Sequence, residues 1–466
     1  MGYNNMVNMV IEIPSQVNRA IEILNNAGHS AYVVGGAVRN ILMEIPVNDW
    51  DITTSALPEE TLRLFADYKT IETGLQHGTV TVIIDHIPLE ITTYRIESGY
   101  SDNRHPDRVD FTDKVEDDLS RRDFTVNAIA YSPSGGFADP FDGQNDIKNK
   151  IIRCVGNADT RFGEDALRIL RALRFSSVLG FEIHPTTADS IRRNYKLLKN
   201  ISVERIFVEL SKLLCGKDAG RILREYEEVI FYVLPELKPM KNCAQNHERH
   251  IFDVWRHTVK SIESIEPIPE LRFAMLFHDS GKPHVKTTDE NGTDHFYQHG
   301  KVSKKITSDA LSRLKTSNKF RWHVCNLVEY HDFLPHQISK KTYKKYIAKL
   351  GKDIIYELFR VRQADVSAQN PVFLAECLEQ NETGKKMLSE IESEEACFRI
   401  SDLAINGSDL INKGVPSSPE IGRILKILLD EVMDEKLTNN KDALLARAAE
   451  LEMQKGEANE NFSSKH

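Results

Sequence analysis

Val33-Val34-Gly35-Gly36-Ala37-Val38-Arg39-Asn40 and, just downstream, Val47-Asn48-Asp49-Trp50-Asp51-Ile52-Thr53-Thr54-Ser55-Ala56 decide how the front of this chain folds. Ala31–Val34 reads as a strand, and a helix follows from about Ala37 to Met43. Two glycines between them let the backbone approach a ligand, and a helix N-terminus offers unpaired N–H groups to an anion. Arg39, one turn into that helix, reaches the same anion. Asn48–Thr53 reads as the next strand. Strand alternation puts Asp49 and Asp51 on one face and Trp50 and Ile52 on the other. Adjacent carboxylates repel unless a cation sits between them, and such hard oxygen ligands suit magnesium. A pair of these ions can serve an attacking hydroxyl and a leaving pyrophosphate. A lone Gly-Gly marks an ordinary turn, and an isolated Asp-x-Asp is more often two solvent-facing acids. The order strand, Gly-Gly-x-x-Arg, strand, Asp-x-Asp is far more specific.

Working outward, Thr79–Ile84 and Leu89–Tyr94 read as strands joined by a hairpin at Asp85-His86. Glu90 on that hairpin is the candidate third acid, with Asp85 as its rival. This module ends near Cys154. From Phe162 the apolar spacing turns helical: Ala166, Ile169, Leu170 and Leu173 form one buried face, and Ile206, Leu210, Leu213 and Leu214 another. Pro235 and Pro239 mark a break before a second helical region, which runs from about His247 to Asn370. Helices continue from Asp402 to Leu451, and Gln454–His466 is polar and frayed. The fold class is therefore α+β, a small mixed-sheet head followed by a long all-α remainder.

The chain has 466 residues, 41% apolar and 28% charged, as in a soluble multidomain protein. No apolar run reaches membrane-spanning length, and Met1 to Val17 carries no signal-peptide pattern. Six scattered cysteines (154, 215, 243, 325, 377 and 397) exclude a disulfide scaffold and fit a reducing compartment. The net charge of −9 disfavours nucleic-acid binding by the surface as a whole. Basic residues nevertheless cluster in Arg161–Lys212 and at Lys340, Lys341, Lys344, Lys345 and Lys349, so a local basic face remains open.

Two further constellations carry chemistry. Arg121-Arg122-Asp123 precedes the apolar run Phe124-Thr125-Val126, and Arg122 suits a phosphate; a charged helix start explains it equally well. In Arg161–Arg174, Asp165, Arg168, Arg171 and Arg174 recur at every third residue, side by side along a helix. An Asp and an Arg presented together offer an acceptor and planar donors to a base edge. Farther on, His257, His278-Asp279 and Asp365 make a divalent-metal set, and His299 and His331 suit a second ion.

The segments VVGGAVRN, VNDWDITTSA, LEITTYR, RRDFTVNAIAY, DPFDG and RFGEDALRILRALRF appear in one order over the first half of the chain. Together they resemble class II tRNA nucleotidyltransferases and bacterial poly(A) polymerases of the polymerase β superfamily. One departure is Asn40, where that family usually has Asp. The resemblance implies that Asp49 and Asp51 hold Mg2+ and that Gly36, Arg39 and Arg122, with Gly35 beside them, contact the nucleotide; Glu90 stays the candidate third catalytic acid, with a surface acid as the equal alternative. It implies that Asp165 and Arg168 act as an amino-acid template for CTP or ATP, with Arg171 and Arg174 nearby. The implied reaction is addition of CCA to the tRNA 3′ end in the cytoplasm, the close rivals being A-adding, CC-adding and poly(A)-adding enzymes. LFHDSGKP resembles HD-superfamily phosphohydrolases. It implies a divalent metal (Mn, Ni, Co or Fe) on His257, His278, Asp279 and Asp365, and leaves open hydrolysis of phosphoesters on tRNA ends or nucleotides. The expected domains are a head at 1–155, a helical neck and body at 156–245, an HD-type domain at 246–370 and a tail at 371–466. No membrane association is expected.

Overall fold

The computed structural model describes residues 12–72, 74–100, 106–333, 337–393, 399–416, 419–434 and 436–463. Cys397 and most of the polar C-terminus lie outside the described side chains. The chain forms two compact units. The first comprises Met1–Lys238 with Pro267–Pro269 and Ala310–Thr316; the second comprises Pro239–Glu266, Glu270–Asp309 and Ser317–His466. The first unit thus ends between Pro235 and Pro239.

Among the described residues the head's two sheets are built from β1 Ala31–Val34, β2 Trp50–Thr54, β3 Lys69–Ile71, β4 Thr79–Ile84, β5 Ile87–Thr93, β6 Arg95–Ser98, β7 Arg108–Phe111, β8 Ala130–Ser132 and β9 Gly136–Ala138. Seven form one sheet in the order β3-β4-β5-β2-β1-β8-β9, while β6 and β7 pair separately. Only β2 and β5 run parallel within the large sheet, which makes it mixed. Alternation explains its two faces. Val80, Val82, Ile84, Leu89, Ile91 and Ile52 all point into the core, while Glu90 and Thr92 point away. Asp85 and His86 form the two-residue β4–β5 turn with φ of 47° and 68°, the left-handed pair that a twisted hairpin requires. Helix α1 (Ser15–Asn26) covers the sheet with Val17, Ala20, Ile21 and Leu24. Helix α2 (Gly36–Leu42) starts one residue earlier than the apolar spacing predicts.

Behind the sheet the chain turns helical. Leu167–Leu179 buries Ile169, Leu170 and Leu173 and packs on Val203–Leu214, which buries Ile206, Leu210, Leu213 and Leu214. Gly180 closes the first of these helices with φ of 67°. Gly216 lets the chain pass close to the other side: a Cβ there would lie 2.1 Å from Ser177 Oγ and 2.6 Å from its carbonyl carbon.

Among its described residues the second unit is helical apart from the short pair Thr287–Thr288 and Asp294–His295. Leu271–Phe277 is buried all round, which its nearly uninterrupted apolar sequence dictates. The span between Asn370 and Asp402, to which the sequence assigns no element, holds the helix Leu374–Ser393. The C-terminal helices share a core of Leu410, Ile424, Leu428, Leu444 and Ala448. No helix among the described residues is long and apolar enough to cross a membrane.

Gly216→Ala forces its new methyl into the Ser177 backbone and is expected to destabilise the first unit by about 1–3 kcal/mol. Urea unfolding followed by circular dichroism measures this; an unchanged midpoint would mean the two helices separate without cost.

Candidate active site

The acids of the head meet through strand register. Asp51 of β2 is opposite Glu90 of β5, so both side chains leave the same face of the sheet. Asp49 does not share the strand as its alternation predicts: β2 begins at Trp50, and Asp49 is exposed in the preceding segment. Pro46, a few residues upstream, supplies no N–H for an earlier start. Burial raises the pKa of Asp51, and Glu90 and Asp49 add to the rise while Arg122 opposes it. Asp51 thus faces Glu90 most closely and Asp49 more weakly, a like-charge arrangement that a cation relieves. Asp85 is elsewhere, in the hairpin turn, 3.5 Å from Arg19.

Above these acids, Gly35 has φ of 74° and ψ of −128°, and a Cβ there would lie 2.9 Å from Arg122 Nη1. The turn and the guanidinium are therefore in contact, and only glycine allows it. Arg122 donates to Asp118 Oδ2 at 3.3 Å, and its buried Nε has no partner. Asp118 also accepts two bonds from Arg121, at 2.9 and 2.7 Å, and one from Thr53 Oγ1 at 3.2 Å. Burial works against ionisation of Asp118, but the two arginines outweigh it and hold its pKa low. Arg39 Nη1 donates to Asn127 Oδ1 at 2.6 Å, and Nε and Nη2 donate to Asn40 Oδ1 at 3.2 and 2.8 Å. Burial, reinforced by Arg174, pulls Arg39 down to about 10.

The expected row of four charges is not one helical face. A helix ends at Glu164, Asp165 is extended (φ −134°, ψ 104°), and the next helix begins at Leu167. Asp165 Oδ1 accepts from the Leu167 N–H at 3.0 Å, which caps the second helix and explains the break. Its other oxygen accepts from Arg205 at 2.8 Å. Arg168 turns inward to Glu164 at 2.5 Å and to the carbonyls of Arg161 and Arg121. Arg171 grips Asp123 Oδ2 through Nε at 2.8 Å and Nη2 at 2.5 Å, and Arg174 Nε lies 3.2 Å from Glu209. Asp123 is thus no helix start: it sits between Val115–Ser120 and the short turn Thr125–Asn127. Most of the arginine excess in Arg161–Lys212 is offset by buried or local acids, and Lys196, Lys199 and Lys212 remain exposed.

In the second unit, four imidazoles converge. Their Nδ1 atoms lie near the carbonyls of Ala368 (His257, 3.3 Å), Met275 (His278, 2.7 Å), Phe296 (His299, 2.9 Å) and Val328 (His331, 2.8 Å). A carbonyl accepts only, so each Nδ1 carries hydrogen and each Nε2 of a neutral ring presents a lone pair. The Nε2 atoms of His257 and His278 are 3.2 Å apart, and those of His299 and His331 are 3.0 Å apart. Asp365 Oδ1 is 2.8 Å from His257 Nε2. Asp279 belongs to both sets, His257–His278–Asp279 and Asp279–His299–His331, whose donor atoms each fall within 4.8 Å. Neither Asp279 oxygen finds an aligned hydrogen-bond donor, although Lys282 Nζ lies 2.7 Å from Oδ2. Lone pairs facing buried carboxylates are a cation's donor set.

Family models match three stretches: a poly A polymerase head domain at residues 31–153, a probable RNA and SrmB-binding site of polymerase A at 180–241, and a putative tRNA nucleotidyltransferase domain 2 at 287–448. A CCA-adding enzyme of Lactobacillus delbrueckii subsp. bulgaricus is 34% identical over 443 residues, 93% of this chain and 97% of the relative. The chain belongs to the CCA-adding enzyme family. A second member, from Streptococcus agalactiae, is 33% identical over 438 residues, covering 93% and 96%. The crystal structure of the Bacillus stearothermophilus CCA-adding enzyme in complex with CTP shares 30% identity over 95% of this chain and 98% of that one, with a TM-score of 0.73. The head-domain match takes in Gly35, Asp51, Glu90 and Arg122, whereas His257, His278 and Asp279 lie outside all three matched stretches.

Sequence reasoning overlooked Asp118 and Glu209, the partners that aim Arg122 and Arg174. Three acids in Glu116-Asp117-Asp118, shortly before Arg121-Arg122, are the signal for the first; nothing local marks the second. Asn127, the amide within RRDFTVNAIAY, aims Arg39. The α-helical lysines 340–349 are mostly engaged: Lys340 with Glu390, Lys341 with Asp434, and Lys349 with the Tyr330 hydroxyl, while Lys344 is buried. A basic face there reduces to Lys345 and Lys349, whose partner is a neutral hydroxyl.

Burial opposes ionisation of Asp123, but Arg171 and Asn127 outweigh it and hold its pKa at about 2. The stability this provides is full above the usual value of 3.8 and drains away as pH falls from there to about 2. Arg171→Met is expected to cost roughly 2 kcal/mol at neutral pH, discounted for its partial exposure, and to raise the midpoint of acid unfolding. A pH titration of stability, comparing the two proteins, checks both.

Proposed function

We propose that this chain adds C, C and A to the 3′ end of tRNA, taking CTP and ATP and releasing pyrophosphate. The observation that carries the reading is the Asp51–Glu90 pair beside Asp49 and under the Gly35–Arg122 contact, in a chain related along nearly its whole length to CCA-adding enzymes. Asp49, Asp51 and Glu90 would hold Mg2+, which the like charges of Asp51 and Glu90 on one face of the sheet fit. Bound there, magnesium lowers the cost of charge on the attacking and leaving oxygens.

The chain's own residues do the rest. Gly35 and Gly36 clear space for the triphosphate. Arg122, with an unpartnered Nε, and Arg39, braced by Asn127 and Asn40, bind its oxygens. Asp165 and Arg168 are the base-reading pair; to do so Asp165 releases Arg205 and Arg168 releases Glu164. Arg171 and Arg174 keep the helix Leu167–Leu179 seated against Asp123 and Glu209 while this happens. Lys196, Lys199 and Lys212 meet tRNA phosphate. The functional divisions are a head at 1–155, a neck and body at 156–245, a metal-binding helical domain at 246–370 and a tail at 371–466, acting in the cytoplasm.

A second activity is favoured by one observation: four imidazole Nε2 atoms gather with the carboxylates of Asp279 and Asp365. His257, His278, Asp279 and Asp365 hold one divalent ion of the Mn, Ni, Co or Fe type, and His299 and His331 hold a second. An ion there supplies a hydroxide-forming Lewis acid for phosphoester hydrolysis.

Purified protein given tRNA lacking its 3′ end, Mg2+, CTP and ATP is expected to add C, C and then A once. Asp49→Ala/Asp51→Ala should lose at least about a thousandfold in rate with its circular dichroism intact. Addition of C alone, A alone or long A tails would reassign the chain to a partial or poly(A)-adding enzyme.

A further inference from the structure

The two carboxylate oxygens of Asp165 are not equally free. Oδ1 accepts from the Leu167 N–H at 3.0 Å, at the start of the helix Leu167–Leu179. Giving up that bond would loosen the helix start. Oδ2 accepts from Arg205 Nη2 at 2.8 Å. A ligand that reads Asp165 through Oδ2 therefore meets Arg205 first.

Arg205 stands on the helix Val203–Leu214, and among the described residues it pairs with no other acid. Its Nη1 is buried and finds no partner. Arg171 offers the contrast: it grips Asp123, an acid only 7% exposed, with two nitrogens. The side chains of Arg205 and Asp165 keep 28% and 17% of their surface exposed. A single bond near solvent, from a guanidinium already short of a partner, exchanges more readily than a buried two-nitrogen grip. Glu164, the neighbouring acid, does not draw Arg205 away, because Arg161 and Arg168 hold it at 3.0 and 2.5 Å.

Whatever displaces Arg205 has to bring a donor of its own. The amino groups of cytosine and adenine do so. The corresponding atoms of uracil and guanine are carbonyl oxygens, which only accept. A carbonyl oxygen set against Asp165 gains no bond, is repelled by the carboxylate, and leaves Arg205 where it is. We infer that Arg205 is a positioning residue that sets base specificity: it guards Oδ2 of Asp165 and yields only to a base carrying an exocyclic amino group at that place. This rests on the reading above of Asp165 as the base acceptor, and it names the residue that enforces the choice. Uracil and guanine are refused twice, by the bond they cannot make and by the arginine they cannot move.

The full chain and its variants are given Mg2+ and one nucleotide at a time. Incorporation of CTP and UTP is measured on tRNA lacking its 3′ end, and of ATP and GTP on tRNA ending in CC. The kcat/KM ratios CTP:UTP and ATP:GTP should each fall roughly tenfold in Arg205→Met and in Arg205→Gln, the low end of what a hydrogen bond to a charged group is worth. Arg205→Lys, which keeps the charge, should recover most of the loss. A residue that only props the helix lowers all four nucleotides alike; unchanged ratios in folded Arg205→Met and Arg205→Gln, checked by circular dichroism, overturn the inference. Asp165→Ala separates the two readings. Collapsed ratios there, with wild-type ratios in the Arg205 variants, remove Arg205 alone. Wild-type ratios in Asp165→Ala remove the base reading and this inference with it.

Discussion

Asp123 is only 7% exposed, and a carboxylate in that position stays ionised because Arg171 reaches it with two hydrogen bonds from the helix Leu167–Leu179. The contact joins the segment between Val115–Ser120 and Thr125–Asn127 to that helix. It also seats Arg174 over the Phe175 ring, 4.0 Å away, with Arg39 on the same ring at 5.2 Å. Three arginines share one aromatic side chain and one buried acid. Like charges at that density are tolerated only while Asp123 and Glu209 remain ionised and in place. The geometry of the glycine turn, of Arg122 and of the acids on β2 and β5 is set against this fixed background.

Much of that arrangement is legible in the sequence, because the rules involved are local. The β1 bounds and the β4–β5 hairpin follow from alternation and from Asp85-His86, and register puts Glu90, not Asp85, opposite Asp51. Register itself is what the sequence withholds. Nothing near Asp51 says that β2 pairs with β5 in parallel, so the meeting of Asp51 and Glu90 emerges only from the sheet. Asp165 fails for the opposite reason. Regular spacing hides a cap, and a capping aspartate breaks the very helix that its periodicity suggests. The lysines of 340–349 mislead because a run of charge carries no record of its partners.

The cluster in the second unit is the clearest case of chemistry written in residue types rather than in position. Histidine next to aspartate after an apolar run is a weak signal. Four imidazoles whose Nδ1 atoms all lie against backbone carbonyls are a strong one, because that arrangement fixes where every lone pair points. The carbonyl partners are main-chain atoms at helix ends, invisible to any reading of side chains. Lys282, close to Asp279 and bonded to Gln245, was equally hidden.

Asn40 holds Arg39 with an amide oxygen where the family usually places a carboxylate. An amide orients a guanidinium as well as an acid does, but cancels none of its charge. The guanidinium beside the glycine turn therefore keeps its whole positive charge, in a side chain only 9% exposed. Salt screens a buried charge less than one on the open surface. An anion at this turn would thus meet a charge that ionic strength weakens less than it weakens that of an exposed lysine.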